Sequence, residues 1–278
     1  MDEVLNQMAK AHYMFGGQAT MSLVLRAPDG LMKHGAAQHS QSLETWFTNI
    51  PGIRVVVPST SANGKQLLKA AIKDPNPVIY FENKGLFPVK GDVPEDLPPI
   101  DLSRAEVVRE GADVMLVSYG LMLTKALAAA DVARREYGVS VEVIDLRSIT
   151  PLDMPTIYAS VKKTGHLVIA HEAIKIGGVG GEIAARVAEN HFDYLRGPVL
   201  RVGARFTPLP FSPVMEDFVL SGEKEILDAV LAAAGKSAVD GADGAAGRAG
   251  EAAGAMQPST QPQPQRRRLR IPSPPAPL

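Results

Sequence analysis

The chain has 278 residues, a formal net charge of −1 and no cysteine. This charge gives no general attraction to nucleic acid or acidic membranes, and the absence of cysteine excludes disulfides, zinc ribbons and thiol nucleophiles. No apolar run approaches the roughly 18 residues of a membrane span. The acidic first residues lack the apolar core of a secretory leader. We therefore expect a soluble, cytoplasmic protein with no nucleic-acid or membrane partner.

The first part of the chain alternates helical and strand patterns, which predicts a parallel sheet covered by helices. In chain order, helices are predicted over residues 1–13, 40–49 and 61–73, and strands over 21–26, 53–57 and 77–82. The segment 91–101 is rich in proline and acidic residues, and we interpret it as an exposed linker. Residues 1–90 are therefore predicted to form a first α/β domain.

The alternation resumes after the linker and predicts a second α/β domain over residues 102–235. Strands are predicted over 113–118, 139–145, 167–171 and 199–202, and helices over 121–137, 181–190 and 223–234. A further helix is predicted to begin with Thr150 as N-cap, Pro151 at the first helical position and Asp153 at the third.

The last segment, 236–278, is dominated by glycine, alanine, proline, glutamine and serine. Because such a composition buries too little apolar surface to offset its ordering entropy, we predict a disordered tail. The basic cluster at 266–270 is interpreted either as part of a solvated tail or as a docking patch for an acidic partner.

His39 is the main candidate for chemistry. It lies in a stretch of small and polar residues, 35–42, that follows the first predicted strand. Loops at strand ends commonly carry functional residues in α/β proteins, and histidine exchanges protons near neutral pH. We predict that His39 is functional, with a well-packed structural histidine as the alternative.

Three weaker patterns leave alternatives open. The glycine-rich run 177–182 is either a phosphate-binding loop or a tight turn for close helix–sheet packing. His171 and Glu172, at a strand end, either act in acid–base chemistry or hydrogen-bond the glycine turn or a neighbouring subunit. Residues 70–76 end a helix with free carbonyls and polar oxygens, which fits either a hard-cation site or an ordinary helix end.

Motifs in both parts of the chain resemble the β subunits of the thiamine-diphosphate-dependent 2-oxo acid dehydrogenases of the pyruvate, branched-chain 2-oxo acid and acetoin types. In the first domain they are residues 36–41 (Ala-Ala-Gln-His-Ser-Gln) and 71–78 (Ala-Ile-Lys-Asp-Pro-Asn-Pro-Val). In the second they are 143–153, 171–173, 178–183 and 207–211. The resemblance implies an incomplete pyrimidine-binding domain followed by a transketolase C-terminal-type α/β domain with a mostly parallel sheet.

The resemblance also implies an activity and partners. It implies oxidative decarboxylation of a 2-oxo acid, with pyruvate favoured, and acyl transfer to a lipoyl group in which His39 takes part by proton donation. Thiamine diphosphate would be shared with an α subunit that also holds Mg²⁺, in an α2β2 heterotetramer served by a lipoyl acyltransferase. A structural K⁺ would be bound by oxygens of Leu23, Ala71, Ile72, Asp74 and Asn76.

One departure from the family pattern separates two functional hypotheses. By the resemblance, the glutamate that hydrogen-bonds the cofactor's aminopyrimidine lies upstream of Met1, and no residue of this sequence matches it. The chain is then expected to be either a β subunit that is active once completed, or a truncated, non-catalytic paralogue that serves as an assembly or partner-binding module. A free-standing transketolase-like enzyme is a weaker alternative, because no magnesium motif for the cofactor is present.

Overall fold

Two mostly parallel β-sheets form the framework in the computed structural model, which describes residues 1–236. The alternation of strands and helices confirms the predicted α/β class. The predicted tail, apart from Lys236, and its basic cluster at 266–270 lie outside the described residues. Within residues 1–236, no helix is both long and apolar enough to cross a membrane.

The first sheet has the strand order β1-β3-β2-β7, with its first three members parallel. A π-helical turn at Glu3–Met8 leads into α1 (Ala9–Met14). The elements that follow are β1 (Val24–Asp29), the one-turn helices α2 (Ala36–His39) and α3 (Thr45–Thr48), β2 (Arg54–Val56), α4 (Ser61–Lys73) and β3 (Val78–Asn83). The prediction of α4 is confirmed, and a reciprocal capping box between Thr60 and Asn63 explains its sharp start.

The second sheet has the order β4-β6-β5-β8-β9, and only β4 runs antiparallel to its neighbour. Its strands are β4 (Glu106–Arg109), β5 (Val114–Ser118), β6 (Val141–Asp145), β8 (Leu167–Ile174) and β9 (Leu200–Ala204). The helices are α5 (Leu121–Tyr137), α6 (Met154–Thr164), α7 (Val179–His191), α8 (Pro213–Val219) and α9 (Glu223–Ala233). The exposed strand β4 and the short helix α8 were not predicted from the sequence.

Strand β7 (Ser148–Thr150) follows β6 in the chain but joins the first sheet, antiparallel to β2. The connection is reinforced by the buried carboxylate of Asp145 at the end of β6. Ser59 Oγ donates to Asp145 Oδ1 at 2.8 Å, and Asn63 Nδ2 donates to Asp145 Oδ2 at 3.0 Å. The second part of the chain therefore completes the sheet of the first.

A single apolar cluster fills the space between the two sheets. It includes Val55, Ile79 and Phe81 from the first sheet and Met115, Val117, Ile144 and Ile169 from the second. Helices α6 and α7 add Ile157 and Ile183 to it. A separate cluster packs α5 and α9 against the opposite face of the second sheet. The two sheets thus share one core.

Two predicted helix starts are wrong. Residues 40–49 do not form one helix, and only Thr45–Thr48 is helical. Ser40 Oγ donates to Met32 O instead, and the Leu43 amide donates to Asp29 Oδ1. Thr150 does not cap a helix, because it pairs with β2 in β7. Helix α6 starts later, and Asp153 is its N-cap, accepting from the Thr156 amide at 3.2 Å.

Candidate functional site

Residues 30–43, which we call the His39 loop, connect β1 to the turn before α3 and lie at the carboxyl end of the first sheet. His39 is exposed and occupies the last position of α2. The loop is closed on itself by Gly30 N–H donating to Gln41 O at 2.8 Å and Gly35 N–H donating to Met32 O at 2.7 Å. The predicted site histidine therefore lies on a short, closed loop with its ring accessible.

Two carboxylates from the second domain bond the backbone of the His39 loop. Leu31 N–H donates to Glu172 Oε1 at 2.6 Å, and His34 N–H donates to Glu216 Oε1 at 3.0 Å. Glu172 thus hydrogen-bonds a loop of the first domain, a contact that neither alternative for this residue had included. Glu216 was missed altogether, because nothing in its short helix α8 distinguishes it in the sequence.

His171, the neighbour of Glu172, is fully buried in β8. Its Nδ1 lies 2.9 Å from Ala173 O, so this nitrogen carries the proton. Burial lowers the pKa of His171 to about 4, which keeps the ring neutral at physiological pH. The predicted strand end at His171 is wrong, because β8 continues to Ile174, and His171 is packed inside the strand.

The glycine-rich run packs against the His171 ring. A Cβ at Gly178 would lie 2.7 Å from His171 Cε1 and 2.7 Å from Ile174 O, and a Cβ at Gly180 would lie 3.1 Å from His171 Nε2. Helix α7 begins directly in this run, at Val179. The interpretation as a tight turn with close helix–sheet packing is confirmed.

Below the His39 loop, three ionisable groups are buried together. Tyr119 Oη donates to Glu44 Oε1 at 2.6 Å, and Asp29 Oδ1 accepts from the Leu43 amide at 3.1 Å. Burial, with the neighbouring charge of Asp29 as a second cause, raises the pKa of Glu44 to about 8. Burial also raises the pKa of Asp29. The sequence could have pointed to Asp29, which ends a strand, but Glu44 has no distinguishing pattern.

This buried pair predicts a pH dependence of stability. The folded-state pKa of Glu44 is above the ordinary value of 4.5. The contribution of protonated Glu44 to the free energy of unfolding is therefore fully present below about pH 4.5 and is lost as the pH rises through about 8. In Glu44→Gln, which keeps the acceptor for Tyr119, we expect the free energy of unfolding to exceed that of the wild type increasingly from pH 5 to pH 8. The gain should be on the order of a few kcal/mol, since one pKa unit corresponds to about 1.4 kcal/mol.

Urea unfolding of both proteins at several pH values measures this difference. Glu182→Gln is the matched control, because Glu182 is an exposed residue that pairs with Arg186 at 2.6 Å on α7. Parallel pH curves for the wild type and Glu44→Gln would contradict a buried, protonated Glu44.

A pocket of about 510 Å³ lies between the His39 loop and the second domain. Gln38, Ser40 and Leu43 form its wall on the loop side. The opposite wall is mostly apolar and includes Ile174, Ala204, Phe206, Leu209 and Val219. His39 itself is not among the lining residues, although its neighbours Gln38 and Ser40 are, so the loop that carries His39 forms one wall of the pocket.

The five predicted cation ligands lie around the end of α4 and the start of β1. Met21 N–H donates to Pro75 O at 3.2 Å, and Leu23 O accepts from the Val78 amide at 2.8 Å, which ties the two segments together. Asp74 Oδ1 accepts from both the amide and the side-chain nitrogen of Asn76 at 2.8 Å. Asp74 Oδ2 lies 2.9 Å from Arg54 Nε. The side-chain oxygens of Asp74 are thus engaged. Ala71 O accepts from the Asp74 amide at 3.3 Å, so this carbonyl and that of Leu23 could coordinate an ion only through a second lone pair.

The remaining histidines have local contacts. His12 Nδ1 lies 2.8 Å from Ala19 O, and the His191 ring stacks on Tyr158 with the ring centroids 4.0 Å apart. His34 has a positive φ of 61° and packs against Phe211 with the centroids 5.3 Å apart. His166 is partly buried beside β8. These positions agree with their interpretation as surface or core histidines.

Comparison with known proteins gives two family matches and a set of relatives. Residues 2–90 match the transketolase pyrimidine-binding domain, and residues 103–226 match the transketolase C-terminal domain. A pyruvate dehydrogenase E1 component subunit beta from Rhizobium meliloti is 44% identical over 233 residues, which cover 84% of this chain and 50% of the relative. The beta subunit of an acetoin:2,6-dichlorophenolindophenol oxidoreductase from Bacillus subtilis is 45% identical over 240 residues, which cover 86% of this chain and 70% of the relative.

A third relative, a mitochondrial pyruvate dehydrogenase E1 component subunit beta from Saccharomyces cerevisiae, is 42% identical and is covered over 64% of its length. The chain thus spans between half and about 70% of the length of these relatives. A solved structure described as a split-gene transketolase, an inactive β4 tetramer, is similar with a TM-score of 0.67 at 24% identity. That similarity covers 84% of this chain and 71% of the other and concerns the fold alone. The chain belongs to the transketolase-like family of the β subunits of pyruvate and acetoin dehydrogenases, as its motifs predicted.

Proposed function

We propose that this chain is the β subunit of the decarboxylating component of a 2-oxo acid dehydrogenase, with pyruvate as the favoured substrate. The observation that carries the proposal is the 44–45% identity to β subunits of this type across both domains. The exposed His39, on a loop that forms one wall of an apolar pocket, supports it, because acyl transfer needs a proton donor near a site that shields the substrate from water.

In this function, thiamine diphosphate, shared with an α subunit that holds Mg²⁺, would supply the electron sink for decarboxylation. The role of this chain is to present His39 as the proton donor when the acyl unit passes to a lipoyl group. The buried acids Asp29 and Glu44 lie beneath the loop rather than at its surface, so they support its base. The apolar wall of the pocket faces the loop that carries His39, whose own side chain is exposed.

We further propose a structural K⁺ bound by Leu23, Ala71, Ile72, Asp74 and Asn76. The residues fit such an ion in their supply of carbonyl oxygens, which hard cations prefer. Because the Asp74 side chain already pairs with Arg54 and Asn76, its backbone oxygen is the donor proposed for the ion. The ion would hold the start of β1 to the end of α4 at the base of the first sheet.

The proposed partners are an α subunit, in an α2β2 heterotetramer, and a lipoyl acyltransferase. Large apolar side chains are exposed around α8, which supports a protein partner on this face; they are those of Phe206, Phe211, Val214, Met215 and Phe218. We propose a cytoplasmic location, and domain limits of 1–90 and 102–235 with 91–101 as the linker.

The proposal is tested with the complex purified from its source organism, so that every polypeptide the enzyme needs is present. We expect thiamine-diphosphate-dependent reduction of 2,6-dichlorophenolindophenol with pyruvate, at a higher kcat/KM than with branched-chain 2-oxo acids or acetoin. A complex that assembles and binds its partner but turns over none of these substrates would contradict the proposal. It would favour the alternative of a non-catalytic assembly module.

A further inference from the structure

Glu172 bonds both arms of the His39 loop with one oxygen. Its Oε1 accepts from the Leu31 amide at 2.6 Å, before His39, and from Ser42 Oγ at 3.3 Å, after it. The same oxygen accepts from Asn83 Nδ2 at 3.3 Å, at the end of β3. One carboxylate of the second domain therefore ties the two ends of the loop to each other and to the first sheet.

A second carboxylate acts on the middle of the loop. Glu216 is only 3% exposed, and its Oε1 accepts from the His34 amide at 3.0 Å. His34 has the left-handed backbone that non-glycine residues seldom adopt, and its ring packs on Phe211, close in sequence to Glu216. This conformation is thus maintained by contacts with the second domain.

The loop sequence leaves space for the first of these carboxylates. A Cβ at Gly30, where φ is +72°, would lie 2.3 Å from Glu172 Oε1 and 2.4 Å from Asn83 Nδ2. Any residue other than glycine would push Glu172 away from the Leu31 amide. The close approach of Glu172 to the Leu31 amide therefore depends on Gly30 in the loop as well as on the position of Glu172 in β8.

We propose that Glu172 and Glu216 are positioning residues that hold the His39 loop from the second domain and so fix the place of the His39 ring. This inference rests on the proposed function of His39. Helix α2 has four residues, and so short a helix is not stable without outside contacts. Outside regular helices and strands, the other hydrogen bonds of the loop backbone within residues 1–236 join loop residues to each other, Leu43 N–H to Asp29 Oδ1, and Trp46 N–H to Leu43 O.

Hydrogen–deuterium exchange of the assembled complex tests the anchoring independently of activity. In Glu172→Ala we expect peptides covering 30–43 to exchange at least tenfold faster than in the wild type, because the bonds to Leu31 and Ser42 are lost. Glu172→Gln keeps an acceptor oxygen and should restore protection. Glu182→Ala, which removes an exposed carboxylate on α7, is the matched control. Unchanged exchange of 30–43 in Glu172→Ala would overturn the proposal.

A double-mutant cycle with His39→Ala tests whether Glu172 acts through His39. We expect Glu172→Ala to lower kcat for lipoyl acylation by about 10- to 100-fold, because small misplacements of catalytic groups have effects of this size. Glu172→Gln should stay within about threefold of the wild type. In the His39→Ala background, adding Glu172→Ala should cause no further loss. Losses that multiply would mean that Glu172 acts on folding or assembly instead, and would overturn the positioning role. If the wild-type complex proves inactive, the proposed function fails, and the exchange experiment alone decides whether the loop is anchored.

Discussion

Replacing His39 by alanine in the assembled complex is expected to lower the rate of lipoyl acylation by about 10²- to 10⁴-fold, the usual contribution of a positioned general acid. The side chain is exposed at the end of α2, so the fold should not depend on it. Association with the α subunit and thermal stability should therefore stay at the wild-type level. Stopped-flow measurement of acyl transfer to a lipoyl domain, beside decarboxylation with an artificial electron acceptor, separates the two steps.

His12→Ala is the matched control for this substitution, because His12 is also exposed and its ring lies 2.8 Å from the nearby Ala19 carbonyl. It should leave both steps unchanged. An acylation rate for His39→Ala within about threefold of the wild type would mean that His39 takes no part in acyl transfer. A loss of acylation accompanied by loss of the complex would instead place it in assembly.

Gly178→Ala is expected to cause a large loss of stability, about 3 kcal/mol in the free energy of unfolding, the upper part of the range for overpacked cores. The added Cβ would lie 2.7 Å from both His171 Cε1 and Ile174 O, and the second of these is backbone that cannot rotate away. Urea denaturation with comparison of m values measures the change. Displacement of β8 by this substitution would also disturb Glu172, which follows His171 directly.

The adjacent Gly177→Ala is the matched control, because no described atom lies within 4 Å of its Cβ position. Its φ of +65° makes alanine unfavourable by about 1 kcal/mol through backbone strain alone. Gly178 has an ordinary φ of −73°, so only packing should make alanine unfavourable there. If Gly178→Ala cost no more than Gly177→Ala, the close contact with His171 would lose its significance.

The local elements could be predicted because local interactions specify them. Helix α4 begins with a capping box, and α5 ends at Gly138 in the left-handed conformation, so their limits follow from short-range chemistry. The segment 40–49 has a helical pattern, yet Ser40 and Leu43 bond Met32 and Asp29, and tertiary contacts override the local preference. Thr150 likewise has a side chain suited to a helix N-cap, but it lies in β7, where it pairs with β2.

In the candidate site too, residues with a local sequence signal could be predicted, and residues that act through distant contacts could not. His39 could be proposed from the sequence because it lies in a small, polar loop after a strand and matches a family motif. Glu172 was noticed only as the neighbour of His171, while Glu44 and Glu216 carried no signal. Their importance comes from burial and from partners distant in sequence, such as Tyr119 and His34. Contacts of this kind depend on how the two domains meet, which no local pattern encodes.

Because β7 belongs to the second domain in sequence but to the first sheet in the structure, we do not expect the two domains to fold independently. If the chain were cut within 91–101 and the two pieces separated, β2 would lack its antiparallel neighbour in one piece, and Met115 and Ile144 would be exposed in the other. We expect a chain nicked there to remain one particle, with the two pieces held together as in fragment complementation. Neither piece expressed alone should then be soluble or cooperatively folded, whereas mixing the two should restore the common core.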